Sequence, residues 1–255
     1  MERYIELVEY NIYSRGNMIN VIDYVNGRRN YEAYTSLFMF KSDVIDYVKN
    51  NISEKTNRPS IEGYIGECQA SYLWIDIDIE GNLPAATAKM IDVVMKIHDK
   101  YKITHRSLSI FFSGNKGYHV GIPTKSFGAD DYSSDILPKV FKSMVEAMVG
   151  FGGGVDKKIY NSSRIFRAPY SQHPKTMKYK IPVDYEKLVA GDMNEMLIDA
   201  DFCRRHCTYQ LVTEFSDELK KLFNDCVQNS ISNVDLYEDN DGYQTAISLS
   251  SNSSI

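Results

Sequence analysis

The sequence lacks a long apolar run, a signal-peptide pattern and a cysteine framework. No stretch of its 255 residues approaches the roughly 18 consecutive apolar residues of a transmembrane helix, so we expect no membrane partner. The N-terminus carries acidic residues among its apolar ones, without the charged-then-apolar order of a signal peptide. Four unevenly spaced cysteines favour a reducing compartment over a secreted disulfide scaffold. Together these absences predict a cytoplasmic protein.

A basic excess is missing as well. Lys and Arg number 29 against 34 Asp and Glu, and the formal net charge is −5. This balance does not indicate a nucleic-acid-binding protein, although a local basic segment can coexist with an acidic body. With 43% hydrophobic residues, the chain is long enough for one large domain or two small modules with a core.

Three segments differ in their patterns. Residues 1–66 mix helical patterns with a strand over 34–40, and we predict an αβ module packed on the core that follows. Residues 67–227 hold the most regular patterns and end in helices. Residues 228–255 are rich in Ser and Asn and contain four acids but no Lys or Arg. This composition predicts a disordered acidic tail or a linker to a further domain.

The patterns between residues 71 and 183 predict the order β-α-β-β-α-β. That is the order of a ferredoxin-like or RNA-recognition-like sheet, an α+β fold found in many polymerase palms. The order alone says little about function. The predicted strands are 71–79, 107–112, 118–122 and 178–183, and the predicted helices are 84–102 and 134–149.

Asp76 and Asp78 are two positions apart on the first of these strands and alternate with Ile75 and Ile77. Two such side chains lie on the same face of a strand. Like charges held this close resist joint ionisation unless a cation lies between them, and Mg²⁺ or Mn²⁺ suits carboxylate ligands. The alternative is a pair of inert surface acids, since Asp-x-Asp is common by chance. The apolar flanks favour a central strand, where surface acids are less common.

A glycine-rich turn between the second and third strands contains Ser113, Gly114, Lys116 and Gly117. Its backbone N–H groups, together with a hydroxyl and an ammonium group, could bind phosphate oxygens. His119 follows on the next strand and could donate to a phosphate as well. The alternative is an ordinary hairpin turn with a half-buried histidine.

Residues 155–180 contain seven Lys or Arg and a single acid, Asp156. Such a local basic surface suits polyphosphate or a nucleic-acid backbone, and the interleaved aromatic residues could stack on a base. Asp156 is a candidate third metal ligand. The alternative is a solvated loop with ordinary charges. The cations are Lys157, Lys158, Arg164, Arg167, Lys175, Lys178 and Lys180, and the aromatic residues are Tyr160, Phe166 and Tyr170.

A carboxylate pair, a phosphate-binding turn and a basic segment with a further carboxylate therefore follow one another along the chain. In-line displacement at a nucleoside triphosphate requires this combination, because metals neutralise developing charge and cationic side chains hold the triphosphate. A metal-dependent nuclease is an alternative. The basic segment beside a glycine-rich turn suits a triphosphate better than a bare phosphodiester.

Over residues 70–185 the order and spacing of these groups resemble the archaeo-eukaryotic primase superfamily, which includes small primase subunits and primase-polymerases. The N-terminal residues fit that family's additional αβ module only loosely. The residues similar to its motifs are the acidic pair Asp76 and Asp78, the turn with Ser113 and Lys116 that leads to His119, Val155-Asp156, and the basic residues Arg164, Arg167 and Lys175.

The resemblance implies a DNA primase or primase-polymerase that starts or extends primers on a single-stranded DNA template, using NTPs or dNTPs and two divalent ions, Mg²⁺ or Mn²⁺. It also implies a replication setting, prokaryotic, plasmid or viral, with a helicase or further replication domain as partner. A gap-filling or end-joining polymerase of the same superfamily and a non-catalytic DNA-binding module are alternatives. By resemblance, Asp76, Asp78 and Asp156 bind the metals and form the catalytic set with His119, while Ser113, Gly114, Lys116, His119, Arg164, Arg167 and Lys175 bind the nucleotide.

The same family often carries a zinc module, and Cys203, His206, Cys207 and Cys226 are conceivable zinc ligands. The first three would share one face of a helix, while the fourth is distant in sequence. We therefore interpret them as core residues on a helix rather than as a zinc site.

Overall fold

A computed structural model describes residues 4–10, 14–17, 33–54, 57–203 and 212–232, which form a mixed α+β fold with antiparallel sheets. The strands are β1 (Tyr4–Tyr10), β2 (Ser14–Asn17), β3 (Ala33–Lys41), β4 (Ile52–Ser53), β5 (Arg58–Pro59), β6 (Cys68–Gln69), β7 (Tyr72–Asp78), β8 (Ser109–Phe112), β9 (Gly117–Pro123), β10 (Ile165–Arg167) and β11 (Ile181–Pro182). The helices are α1 (Val44–Asn50), α2 (Leu83–Tyr101), α3 (Leu137–Val149), α4 (Tyr185–Val189), α5 (Met193–Phe202) and α6 (217–232).

A four-stranded sheet in the order β11-β8-β9-β7 carries most of the core. Ile75 and Ile77 are fully buried on the face covered by α2, which packs on β7 and β9 and also contacts α3. Burying two such side chains stabilises the fold by roughly 1.5–3 kcal/mol each. The predicted strand alternation is thus confirmed, and it turns Asp76 and Asp78 to the opposite face.

That opposite face is covered by a second sheet in the order β10-β3-β1-β2, with β6 also paired to β3. The predicted strand over 34–40 is confirmed as β3. Because β10 and β6 both pair with β3, the segment predicted as an αβ module packed on the core shares its sheet with later parts of the chain. Phe166 of β10 lies against His119 of β9, with ring centroids 4.2 Å apart.

The prediction that β7 is a central strand was wrong, since β7 lies at one end of its sheet. Its outer edge is bonded instead to the loop that follows α3. Val155 forms an isolated bridge with Ile77, and the Asp156 N–H donates to the Asp76 carbonyl at 2.9 Å. The loop occupies the edge of β7 in place of a full strand and brings Asp156 beside the acidic pair.

The predicted fourth strand over 178–183 was also misplaced. Only Ile181–Pro182 is a strand, and it pairs with β8, at the edge away from β7. In a ferredoxin-like sheet the fourth strand lies beside the first, a position held here by Val155. Pro182 has no N–H to extend the ladder, and residues 172–179 fold back on themselves. The predicted strand over 107–112 begins at Ser109, because residues 105–107 form a 3₁₀ turn.

The helix predicted over 84–102 is confirmed as α2. It begins after Asn82, whose side-chain oxygen accepts the Ala85 N–H at 3.0 Å, and Pro84 lies in its first turn. The helix predicted over 134–149 begins at Leu137. Among the described residues, no helix is long and apolar enough to cross a membrane.

The chain after α5 departs from the helix predicted there. Helix α5 ends at Phe202, and Cys203 has a left-handed backbone (φ 52°), so Cys203 is not part of a shared helix face. His206 and Cys207 lie outside the described residues. Cys226 is buried in α6, as expected of a core residue. Helix α6 continues to residue 232, past the predicted start of the tail at 228, and residues 233–255 lie outside the described part.

Candidate active site

Asp76 and His119 face each other across β7 and β9, where they are paired in register. Both are buried, at 5% and 7% exposed. The His119 Nε2 lies 3.6 Å from the Asp76 Oδ1, which is too long for a hydrogen bond. Burial, together with Lys180, Arg167 and Arg164, holds the pKa of His119 well below its usual range. The contact therefore joins a neutral imidazole to a carboxyl group and is not an ion pair.

The Asp76 carboxyl group is in an unfavourable setting. Its pKa is raised to about 7, first by burial and then by the carboxylates of Asp78 and Asp156, against the opposing charges of Arg164 and Lys180. Within the described chain, neither the Asp76 Oδ1 nor the His119 Nδ1 has a hydrogen-bond partner. A buried polar atom without a partner costs about 1–3 kcal/mol. Unsatisfied groups of this kind are typical of a site that binds something else.

Asp78 lies at the mouth of the site and is partly exposed. Its Oδ2 is 3.5 Å from the Lys116 ammonium, which also bonds the Glu80 Oε2 at 2.8 Å. Burial raises the pKa of Asp78, and Lys116 opposes that shift. Lys116 thus neutralises the acidic rim of the site in this structure.

Asp156 is the third carboxylate near Asp76. Its Oδ1 accepts the Lys158 N–H at 2.8 Å, as the cap of a short 3₁₀ turn. Its Oδ2 lies 3.8 Å from the Arg164 guanidinium. The structure therefore brings the carboxylate predicted from the basic segment to the acidic pair, with Arg164 beside it.

The turn predicted to bind phosphate joins β8 to β9. The Ser113 N–H donates to the Gly117 carbonyl at 2.9 Å, and the Ser113 hydroxyl accepts the Gly117 N–H at 3.3 Å. Gly114 has a φ of +82°, and a Cβ there would lie 2.8 Å from the Lys178 carbonyl oxygen. Gly114 is therefore required both by the turn and by the close approach of the hairpin that residues 172–179 form.

Most of these groups line one pocket of about 140 Å³, but Asp156 and Gly114 are not among its lining residues. Lys175 is exposed and lies outside the lining, but it is close enough to help lower the pKa of His173, after burial and Arg167. Of the residues predicted for the site, the lining contains Asp76, Asp78, Ser113, Lys116, His119, Arg164 and Arg167.

The basic segment does not form one basic surface, contrary to the prediction. Lys180 is 2% exposed, and its ammonium donates to the Arg167 carbonyl at 2.9 Å while lying 5.1–5.4 Å from three aromatic rings. Burial lowers the pKa of Lys180 to about 7, and Asp76 opposes that shift. Lys178 is paired with Asp201. The cations are thus divided between the pocket, the core and the surface.

The aromatic residues of this segment are also more buried than a stacking role requires. Tyr160 is 9% exposed, and its hydroxyl donates to the Trp74 carbonyl at 2.8 Å. Phe166 is covered by His119. Tyr34 and His173 line the pocket and Lys180 acts on the Asp76 carboxyl group, although none of the three was predicted as a site residue. Only the three-dimensional fold relates them to Asp76, since no motif marks them.

The donor set fits a hard divalent cation. Three carboxylates lie close enough for Asp78 and Asp156 to raise the pKa of Asp76, and one buried carboxylate oxygen is unsatisfied. In the described residues, no three His, Cys, Asp or Glu side chains already converge as metal ligands. Asp78 is bonded to Lys116 and Asp156 to Lys158 and Arg164, so a cation would replace these contacts.

Comparisons with known proteins give one weak structural match and no match in sequence. No family model matches the sequence, and no curated protein matches it either. Among solved structures, the polymerase domain of Mycobacterium tuberculosis Ligase D in complex with DNA aligns with 90% of this chain and 72% of its own chain, at 12% identity and a TM-score of 0.39. A likeness at this level does not establish a shared activity.

Proposed function

We propose that the chain is a metal-dependent nucleotidyltransferase, a DNA primase or primase-polymerase that joins nucleotides on a single-stranded DNA template. One observation carries the proposal. The buried Asp76 carboxyl group has an unsatisfied oxygen and lies close enough to Asp78 and Asp156 for both to raise its pKa. Asp76 and Asp78 line a pocket that also contains Arg164 and Arg167. Carboxylates for a cation and guanidinium groups for an anion therefore meet at one place, as transfer from a triphosphate requires.

The proposed reaction is attack of a 3′-hydroxyl on the α-phosphorus of a bound nucleotide, with release of pyrophosphate. Asp76, Asp78 and Asp156 would hold Mg²⁺ or Mn²⁺, which supplies neutralisation of the charge on the reacting oxygens. Arg164 and Arg167 hold the anionic phosphates. His119 stays neutral and can offer an N–H to a phosphate oxygen without adding charge.

The direct test is a gel assay of nucleotide incorporation on single-stranded DNA, with NTPs or dNTPs, Mg²⁺ or Mn²⁺, and with or without a primer. Incorporation without a primer supports a primase, and incorporation only with a primer supports an extending or end-joining polymerase. Metal-dependent triphosphate binding without incorporation would contradict transferase activity. Binding of DNA alone, without metal-dependent triphosphate binding in calorimetry, would support a non-catalytic module.

Lys175→Ala should raise the KM for the nucleotide roughly threefold to tenfold and leave kcat nearly unchanged. The side chain is exposed near the pocket, so it attracts the triphosphate before the transition state, and solvent screens its charge. Steady-state incorporation kinetics measure both constants. Lys125→Ala is the matched control, because Lys125 is exposed beyond the far end of β9. An unchanged KM with weaker DNA binding would assign Lys175 to the template instead.

A further inference from the structure

A second cavity lies between β3 of one sheet and β7 of the other, next to the proposed active site. Its volume is about 220 Å³, and side chains of β3, β7 and β10 line it. Trp74 lines it two positions before Asp76 on the same face of β7, roughly 7 Å along the strand. Phe166 and Arg167 belong to the walls of both pockets. The space among Trp74, Phe166 and Lys180 is called the inter-sheet cavity below.

Lys180 supplies a buried cation at the wall of the inter-sheet cavity. An ammonium group has three N–H donors, and in the described chain one of them has an oxygen acceptor, the Arg167 carbonyl. Three aromatic rings, Trp74 among them, surround the group at 5.1–5.4 Å, but rings are weaker acceptors than oxygen. No ion pair with a described residue neutralises it, although Asp76 favours its charge from a longer distance. An acceptor oxygen in the cavity would therefore complete the bonding of a costly buried group.

The indole of Trp74 gives the inter-sheet cavity a flat aromatic wall. The ring is half-buried and lies against Gly121 of β9, where a Cβ would be 2.7 Å from it. The neighbouring rings of Tyr72, Phe111 and Phe166 are inclined to the indole by 37–56°, so none of the three is stacked parallel to it. Bases of single-stranded nucleic acids stack on aromatic side chains of this kind. A planar ring is thus the shape that fits this wall.

The wall and the cation together select a planar ring that bears a carbonyl oxygen. A phosphate would use the cation but not the indole, and a hydrocarbon ring would leave the ammonium without an acceptor. Thymine and guanine present a carbonyl oxygen at the position where cytosine and adenine present an amino group. An amino group would place one donor against another, which disfavours cytosine and adenine.

We propose that the inter-sheet cavity binds one unpaired thymine or guanine of the single-stranded template, whose carbonyl oxygen accepts a hydrogen bond from the Lys180 ammonium. This rests on the proposed function and adds a preference for template sequence. Because the cavity begins roughly 7 Å from Asp76 along β7, the base belongs to a template nucleotide near the one that is copied.

The test uses the fluorescence of Trp74, the one tryptophan in the chain. The full chain, in EDTA and without nucleotide, is titrated with 12-nucleotide oligomers of thymidine or deoxycytidine. These pyrimidines have the same ring and differ in the carbonyl or amino group at position 4. Both oligomers should quench Trp74, and thymidine should bind about tenfold more tightly, as one hydrogen bond from a charged donor implies.

Two variants separate the cation from the cavity. Lys180→Met keeps the buried stem without its donors and should reduce the preference for thymidine to less than twofold, with quenching retained. Lys187→Met is the matched control, because this exposed lysine pairs with Glu195 and lies outside the cavity lining. Leu37→Phe fills the cavity and leaves Lys180 in place, so it should abolish the quenching. It also serves as the test if the thermal midpoint shows that Lys180→Met does not fold.

Several results would overturn the inference. Equal affinities of the wild type for the two oligomers, or an unchanged preference in Lys180→Met, would remove the selection by Lys180. Binding of a labelled oligomer, seen by anisotropy, without a change in Trp74 fluorescence would exclude the cavity as the site. If such a protein still incorporates nucleotides in the gel assay, the proposed function stands and this inference fails. Thymidine-selective quenching in a protein that incorporates no nucleotide would contradict the proposed function and leave this inference standing.

Discussion

Asp76→Asn is expected to abolish nucleotide incorporation and, in the absence of divalent metal, to stabilise the protein. The loss of activity follows from the loss of a buried carboxylate proposed to hold the metal. A metal ion stabilises transition-state charge by several kcal/mol, and each 1.4 kcal/mol is tenfold in rate. Incorporation should therefore fall about a thousandfold or more in the gel assay. Activity within tenfold of the wild type would exclude Asp76 from the metal site.

The gain in stability has a separate cause. Asp76 has a pKa raised to about 7, so at neutral pH the folded state holds a carboxylate that burial and two other carboxylates disfavour. Asn removes that charge at nearly the same volume. The expected gain in the free energy of unfolding is on the order of 2 kcal/mol. This gain is smaller than the shift in the pKa of Asp76 alone would give, because the substitution also removes the carboxylate that favours the charged form of Lys180.

The raised pKa of Asp76 also makes stability depend on pH. Between about pH 4 and pH 7 the folded protein keeps a proton on Asp76 that the unfolded chain has lost, so the wild type loses stability as pH rises through this range. Asp76→Asn lacks this contribution, and the difference between the two proteins should grow from pH 4 to pH 7. Urea unfolding in EDTA measures it, with the exposed Asp99→Asn as control. A difference that does not change with pH would contradict the raised pKa.

Much of this site follows from local pattern. Ile75 and Ile77 alternate with Asp76 and Asp78, which indicates a strand with one apolar face. Successive side chains of a strand point to opposite faces, so every second residue is buried. Helix α2 can be recognised in the same way, because its N-cap residue and the helical spacing of its apolar residues are both visible in that segment alone. Strand β7 and helix α2 could therefore be predicted from sequence.

The remaining features depend on which segments meet. Val155 lies at the edge of β7 because the loop after α3 returns to that strand. Ile181 pairs with β8, directly after residues 172–179 have folded back on themselves. No local pattern records those partners. Lys180 shows the same limit. Its sequence neighbours are basic and suggest a surface, yet three rings and the Arg167 carbonyl enclose it.

Gly117→Ala is expected to have the largest effect on stability of any single methyl group added near the site. Gly117 begins β9 and is paired with Asp78 on β7. A Cβ at this position would lie 1.7 Å from the Ile77 carbonyl oxygen and 2.8 Å from the Asp78 Oδ1. The first of these atoms belongs to the backbone of the neighbouring strand. It cannot move away without opening the ladder that holds Asp76 opposite His119.

The expected loss exceeds about 3 kcal/mol, measured as a lowered midpoint of urea unfolding. Gly81→Ala provides the comparison, because Gly81 has a φ of +67° but no atom beyond its two chain neighbours within 4 Å of an added Cβ. Left-handed backbone alone costs roughly 1–2 kcal/mol. Gly117 does not have a left-handed backbone. A larger loss of stability in Gly117→Ala than in Gly81→Ala would therefore come from the steric contact between β7 and β9. Equal losses in the two variants would mean that β7 and β9 are not in contact at Gly117. In that case the register that brings Asp78 to the turn of Ser113 would be wrong.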